Sequence, residues 1–380
     1  MKPILTAALI VAAAIVPAIV PAQAQSVISP EVHPDGSITF RFLAPKAGDV
    51  QLHCEGVPDT DMTQNAHGLW TYTTKPLDPD IYTYTFDVDG VRVIDPLNSF
   101  MKYNLLSSAS QVEVPGPPSS SLPWQIVDVS RGELHRHFFR SAVCNDNRDF
   151  IVYTPPGYNP RAFKRYPVLY LLHGFSDDTT AWTEAGRANV ILDNLITRGK
   201  ARPMIVVMPL GYGDMAVLQA GHDPAGQALR QRSQDKFVES LLTEVIPRVE
   251  KEYHVSTNRR DRAIAGLSMG GKEALVTGLN HLDKFTWVGA FSSGGMTNFD
   301  ANFPALDAGA NKQLRLLWIG CGNDDGLLKP NQELCHWLLL KGIQFTWTEL
   351  PGQHSYRVWR RDLAQFAPLL FQPENHSKFE

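Results

Sequence analysis

Between Arg262 and Val276 the chain passes from a short apolar run, Arg262-Ala263-Ile264-Ala265, through Gly266-Leu267-Ser268-Met269-Gly270 into the helix-forming stretch Lys272-Glu273-Ala274-Leu275-Val276. A strand that gives way to a helix in so few residues forces the residue at the apex into a strained backbone conformation. A side chain on either flank would collide with the neighbouring strand or helix, and glycines at both flanks remove that collision. The serine hydroxyl is then left projecting above the sheet, with the first N–H groups of the helix aimed at the same place. Such a turn needs a sheet beneath it and a helix behind it, so the rest of the chain should alternate strands with helices.

From about residue 123 onward it does. Leu134-His135-Arg136-His137-Phe138-Phe139 and Arg148-Asp149-Phe150-Ile151-Val152-Tyr153 read as a β-hairpin. Val168–Leu172 and Met204–Met208 are continuous apolar runs, as expected of parallel strands covered on both faces. Helical patterns fit Ala188–Arg198 and Ser233–Tyr253, and further strands fit Trp287–Phe291, Leu314–Ile319 and Phe345–Leu350. Helices at Pro330–Lys341 and Tyr356–Leu370 complete a doubly wound, mostly parallel α/β domain over residues 123–372, with an antiparallel N-terminal edge.

The preceding segment has a different rhythm. Ser37–Phe42 and Ile81–Val88 alternate polar and apolar residues at period two, and Pro34-Asp35-Gly36, His67-Gly68 and Asp89-Gly90 punctuate the runs. Residues 26–114 therefore read as a small β-sandwich, and the Pro- and Ser-rich residues 115–122 as its linker to the second domain. At the N-terminus, Lys2, the apolar stretch Ile4–Val20 and Ala22-Gln23-Ala24 match a signal peptide over residues 1–24, which predicts a secreted or periplasmic protein without stable membrane association. A net charge of −4 with no Lys/Arg run gives no reason to expect a nucleic-acid partner. The four cysteines match no zinc spacing; buried free thiols are the preferred reading, with one bridge among Cys144, Cys321 and Cys335 as the alternative.

A serine hydroxyl becomes nucleophilic only when a base takes its proton and a third group orients that base. In serine hydrolases built on such sheets the acid and then the histidine follow the serine, each on a loop after a strand. Gly322-Asn323-Asp324-Asp325-Gly326 and Pro351-Gly352-Gln353-His354 occupy those two places. His354 is the expected base, because His281 falls just past the helix after Ser268 and His336 lies within a helix. Asp325 is the expected acid, at a turn spacing that aims its carboxylate along the strand ends, while Asp324 remains the alternative. The backbone N–H groups of Met269 and Phe175 are the expected oxyanion donors, Phe175 lying just past the strand end Leu171-Leu172-His173-Gly174. His173 is expected to brace that loop, and together with Trp182 and Tyr212 to shape the substrate pocket.

Leu171-Leu172-His173-Gly174, Trp182, Gly266-Leu267-Ser268-Met269-Gly270-Gly271, Cys321-Gly322-Asn323-Asp324-Asp325, Gly352-Gln353-His354 and Trp359 together resemble the esterase D-like family. That family includes carbohydrate esterase family one, with its feruloyl and acetyl xylan esterases, and enterochelin-esterase relatives. The resemblance covers residues 125–372 and implies an α/β-hydrolase fold and an acyl-enzyme mechanism with neither metal nor organic cofactor. Its implied substrates are ester-decorated carbohydrates or small aromatic esters. The first domain resembles an immunoglobulin-like early-set module through Phe42-Leu43-Ala44-Pro45, Gly68-Leu69-Trp70 and Asp95-Pro96-Leu97-Asn98. One departure is that Phe175-Ser176-Asp177-Asp178 follows His173-Gly174, where many relatives have a further glycine pair. The other readings are a siderophore esterase, a general short-chain carboxylesterase and, from another class, a non-catalytic carbohydrate-binding or acyl-transferring protein.

Overall fold

A computed structural model describes residues 27–117 and 122–373. The expected signal peptide and the middle of the expected linker lie outside the described residues.

The N-terminal part is all-β, with strands between Glu31 and Val114. A four-stranded sheet, which carries Ile38–Leu43 and Leu69–Thr73, faces a second sheet that carries Val50–Cys54, Asp80–Val88 and Ala109–Val114. The period-two alternation does what it promised. Ile38 and Phe40 from one sheet and Leu52, Tyr82, Tyr84 and Phe86 from the other point inward to a shared core, with the Phe40 and Tyr84 rings 4.7 Å apart. Trp70, Tyr82 and Tyr84 are all buried there, so none of them offers an exposed stacking face.

The second part is built on eight strands: β1 (Glu133–Arg140), β2 (Asn147–Thr154), β3 (Val168–Leu172), β4 (Ile205–Pro209), β5 (Arg262–Leu267), β6 (Trp287–Phe291), β7 (Leu316–Gly322) and β8 (Thr346–Leu350). They lie in the order β1-β2-β4-β3-β5-β6-β7-β8. The pairs β1–β2 and β2–β4 are antiparallel, and every pair from β4 to β8 is parallel. The apolar runs are continuous because both faces are covered. Leu169, Leu171, Ala263, Ala265 and Phe291 face one layer with Ile191, Leu363 and Phe366. Val168, Tyr170, Leu172, Ile264 and Val288 face the other with Phe237, Leu275 and Leu338. The order reverses direction where β3 and β5 lie side by side, the place where an open α/β sheet leaves a crevice at its carboxyl ends.

Two expectations shift. The helix expected from Ser233 begins at Pro224; Asp223 caps it by accepting from the Gly226 N–H at 2.8 Å. Its continuation passes through a π-turn at Leu241–Val245 before the helix Ile246–Glu252. The last helix ends at Phe366, with a 3₁₀ turn following. All four cysteines are buried and free, as the preferred reading had it.

The two parts meet across a buried ion cluster. Asp80, at the start of an N-terminal strand, accepts from Arg360 at 2.9 Å and Arg361 at 2.6 Å and lies 3.3 Å from Arg357, all three on the helix Tyr356–Phe366. Arg360 also donates to the carbonyls of Ala185 and Ile81, both at 2.7 Å. Burial pushes the Asp80 carboxyl up, but the Arg360 and Arg361 charges outweigh it and hold the group below the ordinary carboxylate value. A depressed value in the folded state means that the stabilisation is full above the unfolded carboxyl value, about 3.9, and is lost as pH falls through the folded one. Asp80→Asn leaves a buried guanidinium unpaired and should cost about 3–5 kcal/mol near neutrality. Thermal melts at pH 7 and pH 3 check this: the deficit should be smaller at pH 3, below the unfolded carboxyl value, and an equal deficit at both would contradict it.

Candidate active site

Ser268 sits between β5 and the helix Met269–Asn280 at φ 51° and ψ −117°, a region that costs a non-glycine residue about 1–3 kcal/mol. The strain is held from both sides. The Ser268 N–H donates to the Phe291 carbonyl at 2.9 Å, and the Gly294 N–H donates to the Ser268 carbonyl at 2.7 Å. The flanking glycines are required sterically. A Cβ on Gly266 would stand 2.4 Å from the Gly270 oxygen, and one on Gly270 would stand 2.4 Å from the His173 oxygen.

His354 reaches Ser268 from the loop after β8. Its Nε2 lies 2.9 Å from Ser268 Oγ and its Nδ1 lies 2.8 Å from Asp325 Oδ2. The acid and histidine loops are stitched together by backbone bonds. The Asn323 N–H donates to the Leu350 carbonyl at 2.8 Å, and the Asp324 N–H to the Gly352 carbonyl at 3.0 Å. Gly322 allows this approach, since a Cβ there would meet the Gly352 oxygen at 2.3 Å. The Asp325 carboxylate is buried, and its other oxygen accepts from the Leu327 N–H at 2.8 Å. Burial pushes this carboxyl up, yet the bonds from His354 and Leu327 prevail and hold it below its ordinary value. The neighbouring Asp324 is exposed. With Nδ1 donating to a carboxylate, Nε2 is free to accept the serine proton; that protonation is inferred from the partners.

Met269 opens its helix, where the first N–H groups have no intrahelical acceptor. Phe175 follows Gly174, whose own Cβ position would be 3.5 Å from Ser268 Cβ, so this loop passes directly beside the hydroxyl. The Phe-Ser-Asp-Asp departure is accommodated by Ser176 at φ 66° and by the buried Asp177. Asp177 accepts from Tyr356 Oη at 2.9 Å and from Asn104 Nδ2 at 3.0 Å.

The three residues expected to shape the pocket are all buried behind it. His173 accepts the Gly211 N–H on Nε2 at 2.9 Å, with Nδ1 2.8 Å from the Gly174 carbonyl. It thus braces the loop against the end of β4, and burial keeps its proton affinity low. Tyr212 Oη donates to the Asp177 carbonyl at 3.1 Å, another brace. Trp182 donates to the Leu172 carbonyl at 2.9 Å and packs edge-on against Phe291 and Tyr356. As pocket residues these three are corrected: each hydrogen-bonds to backbone under the site, and none lines the space above Ser268.

That space divides into two hollows. One, of about 170 Å³, is lined by Ser268, His354, Tyr356 and Trp359 and by Glu55, Thr83 and Lys102 from the N-terminal part. The other, of about 280 Å³, lies toward Met269, Gly294 and the helix Pro224–Ser240. The N-terminal contribution was missed in the sequence. No motif marks Glu55 or Lys102, which arrive through the docking of the two parts, held by the Asp80 cluster and by bonds such as those of Asn104 to Ser176 and Asp177. Among the described residues, no group of three or more His, Cys, Asp or Glu is placed to hold a metal ion, and no helix is long and apolar enough to cross a membrane.

Residues 141–370 match the family model described as "Putative esterase". The chain belongs to this esterase family. Within it, the chain is 30% identical over 355 residues to an endo-1,4-beta-xylanase/feruloyl esterase of Xylanibacter ruminicola, covering 90% of this chain but 46% of that longer protein. Among solved structures, a ferulic acid esterase superposes with TM-score 0.54 at 27% identity, covering 63% of this chain and 97% of its own. The enterobactin esterase FES of Shigella flexneri superposes with TM-score 0.67 at 20% identity, covering 89% of this chain and 93% of its own. At that identity the second likeness shows the fold, here shared across both parts of this esterase-family chain.

Proposed function

We propose that this protein is an exported serine carboxylesterase that hydrolyses hydroxycinnamoyl or acetyl esters of plant cell-wall polysaccharides. The observation that carries the reading is His354 bridging Ser268 and Asp325 at 2.9 and 2.8 Å, on the loops after β5, β7 and β8. In this reading Ser268 Oγ attacks the ester carbonyl carbon as His354 Nε2 takes its proton, and Asp325 stabilises the imidazolium. The Met269 and Phe175 N–H groups hold the oxyanion. His354 then gives the proton to the leaving alkoxide, and water, deprotonated by the same nitrogen, releases the acid from the acyl-enzyme. No step requires a cofactor.

The substrate class draws on the name of the Xylanibacter relative and on the architecture: a leader over residues 1–24, a β-sandwich at 26–114, a linker at 115–122 and the catalytic domain at 123–372. The leaving alcohol belongs beside His354, in the hollow that Glu55, Thr83 and Lys102 help to wall. A bulky sugar there would meet both parts of the chain. The test is kcat/KM of the purified protein on feruloylated arabinose, acetylated xylan and enterobactin. We expect the carbohydrate esters to exceed enterobactin by about tenfold or more, which corresponds to one well-placed contact. A preference for enterobactin would instead make the protein a siderophore esterase.

A further inference from the structure

The hollow on the far side of Ser268 from His354 has an unusual charge balance. The proton delivered by His354 must reach the leaving oxygen, so the leaving group lies on the His354 and Trp359 side. The acyl group must then occupy the 280 Å³ hollow lined by Ser268, Met269 and Phe175. That volume has room for roughly nine water-sized groups. Arg230, Ser233, Gln234, Lys272 and Glu273 lie along the remainder of its wall.

Arg230 and Lys272 are both only partly exposed, and neither forms an ion pair among the described residues. Arg230 makes one long bond, to the Ala220 carbonyl at 3.3 Å. Glu273 is 4% exposed, and its Oε2 is buried with no hydrogen-bond partner. Burial pushes that carboxyl well above its ordinary value, against the opposing pull of the Lys272 charge. For Lys272, burial and the like charge of Arg230 lower its proton affinity, with Glu273 and Asp235 acting the other way. Asp235 is engaged with Gln231 at 2.9 Å. The wall therefore presents Arg230 and Lys272, neither in an ion pair among the described residues, and the unpartnered Oε2 of Glu273, beside a mostly apolar space that opens onto the nucleophile.

We infer that this hollow is an acyl-group pocket that selects acyl chains ending in a negatively charged group, a carboxylate held by Arg230 and Lys272. The inference rests on the reading of Ser268 as the nucleophile and goes beyond the hydroxycinnamoyl and acetyl groups proposed above, whose uncharged ends do not engage these two cations, by adding a class of acyl group that this wall prefers. An ionised acceptor between two donors of this kind forms charge-assisted hydrogen bonds, the stronger class. A neutral alkyl end of equal length leaves both cations unpaired, and that difference is the source of the selectivity.

The experiment compares two activated esters of the same chain length, the 4-nitrophenyl monoester of glutaric acid and 4-nitrophenyl valerate. In the wild type at low salt, kcat/KM for the glutarate should exceed that for the valerate by about tenfold or more. Raising the salt to about 0.5 M should compress the ratio, because the cations are only partly buried. Arg230→Gln and Lys272→Gln should each lower the ratio several-fold, and the salt effect needs no variant to fold. A wild-type ratio of one or less overturns the proposal. A second arm measures binding of glutaramic acid and valeramide to Ser268→Ala by calorimetry, which reads the hollow without turnover. Tighter binding of the acid than of the amide, alongside equal ester turnover by wild type and Ser268→Ala, would uphold the pocket and reject the nucleophile. Equal affinities would reject the pocket alone.

Discussion

Ser268→Ala is expected to lower kcat for an activated ester by about four to six orders of magnitude while leaving the protein folded. Serine, histidine and acid act as one unit, so loss of the nucleophile removes nearly all of their joint contribution, and the oxyanion donors retain only the remainder. The substitution takes away one oxygen whose partner, His354 Nε2 at 2.9 Å, is itself partly open to solvent. The backbone strain at φ 51° is the same for alanine as for serine, so the melting temperature should move by no more than a degree or two. Ser268→Gly relieves that strain and should melt higher. Activity on 4-nitrophenyl acetate, read with circular dichroism melts of the three proteins, checks both halves. An inactive protein that has also unfolded would not support the chemistry.

Asp325→Asn should be nearly as damaging, by about four orders of magnitude, whereas Asp324→Asn should stay within about twofold of the wild type. The amide would turn a donor toward His354 Nδ1, so the imidazole would adopt the tautomer with its proton on Nε2 and could no longer accept from Ser268. Asp325 holds its place through the 2.8 Å bond from the Leu327 N–H, and the bonds from His354 and Leu327 hold its carboxyl below the ordinary carboxylate value. Loss of activity between pH 5 and 7 would therefore not arise from this carboxyl. Asp324 is exposed, and only its backbone N–H is committed, to Gly352. The two pH–activity profiles separate the neighbours: an inactive Asp324→Asn beside a near-normal Asp325→Asn would assign the acid to the wrong residue.

What could be read in the sequence was whatever local chemistry dictates. Val168–Leu172 and Trp287–Phe291 have the same bounds as strands as in the sequence reading, because an apolar run covered on both faces leaves no other choice. Gly266 and Gly270 pointed to the turn because nothing larger fits there. The start of the helix at Pro224 was hidden by its polar first turns, where the Asp223 cap rather than an apolar face sets the boundary. Trp182, His173 and Tyr212 were misjudged for a common reason. Each is a large or polar residue beside the site whose hydrogen bond runs downward to a backbone group, and sequence does not tell which way a side chain points. Glu55, Thr83 and Lys102 were missed because they reach Ser268 through tertiary docking, which Asp80 and three arginines secure far from any motif.

The central claim, that Ser268 carries the acyl group, is tested most directly by trapping it there. The protein is mixed with 4-nitrophenyl acetate, quenched in acid within the first turnovers, digested and analysed by mass spectrometry. The account predicts one acetyl group on the peptide containing Gly266-Leu267-Ser268-Met269-Gly270, absent from Ser268→Ala and accumulating in a variant whose deacylation is slowed. Steady release of nitrophenol with the acetyl group on a different residue, or undiminished release from Ser268→Ala, would contradict it.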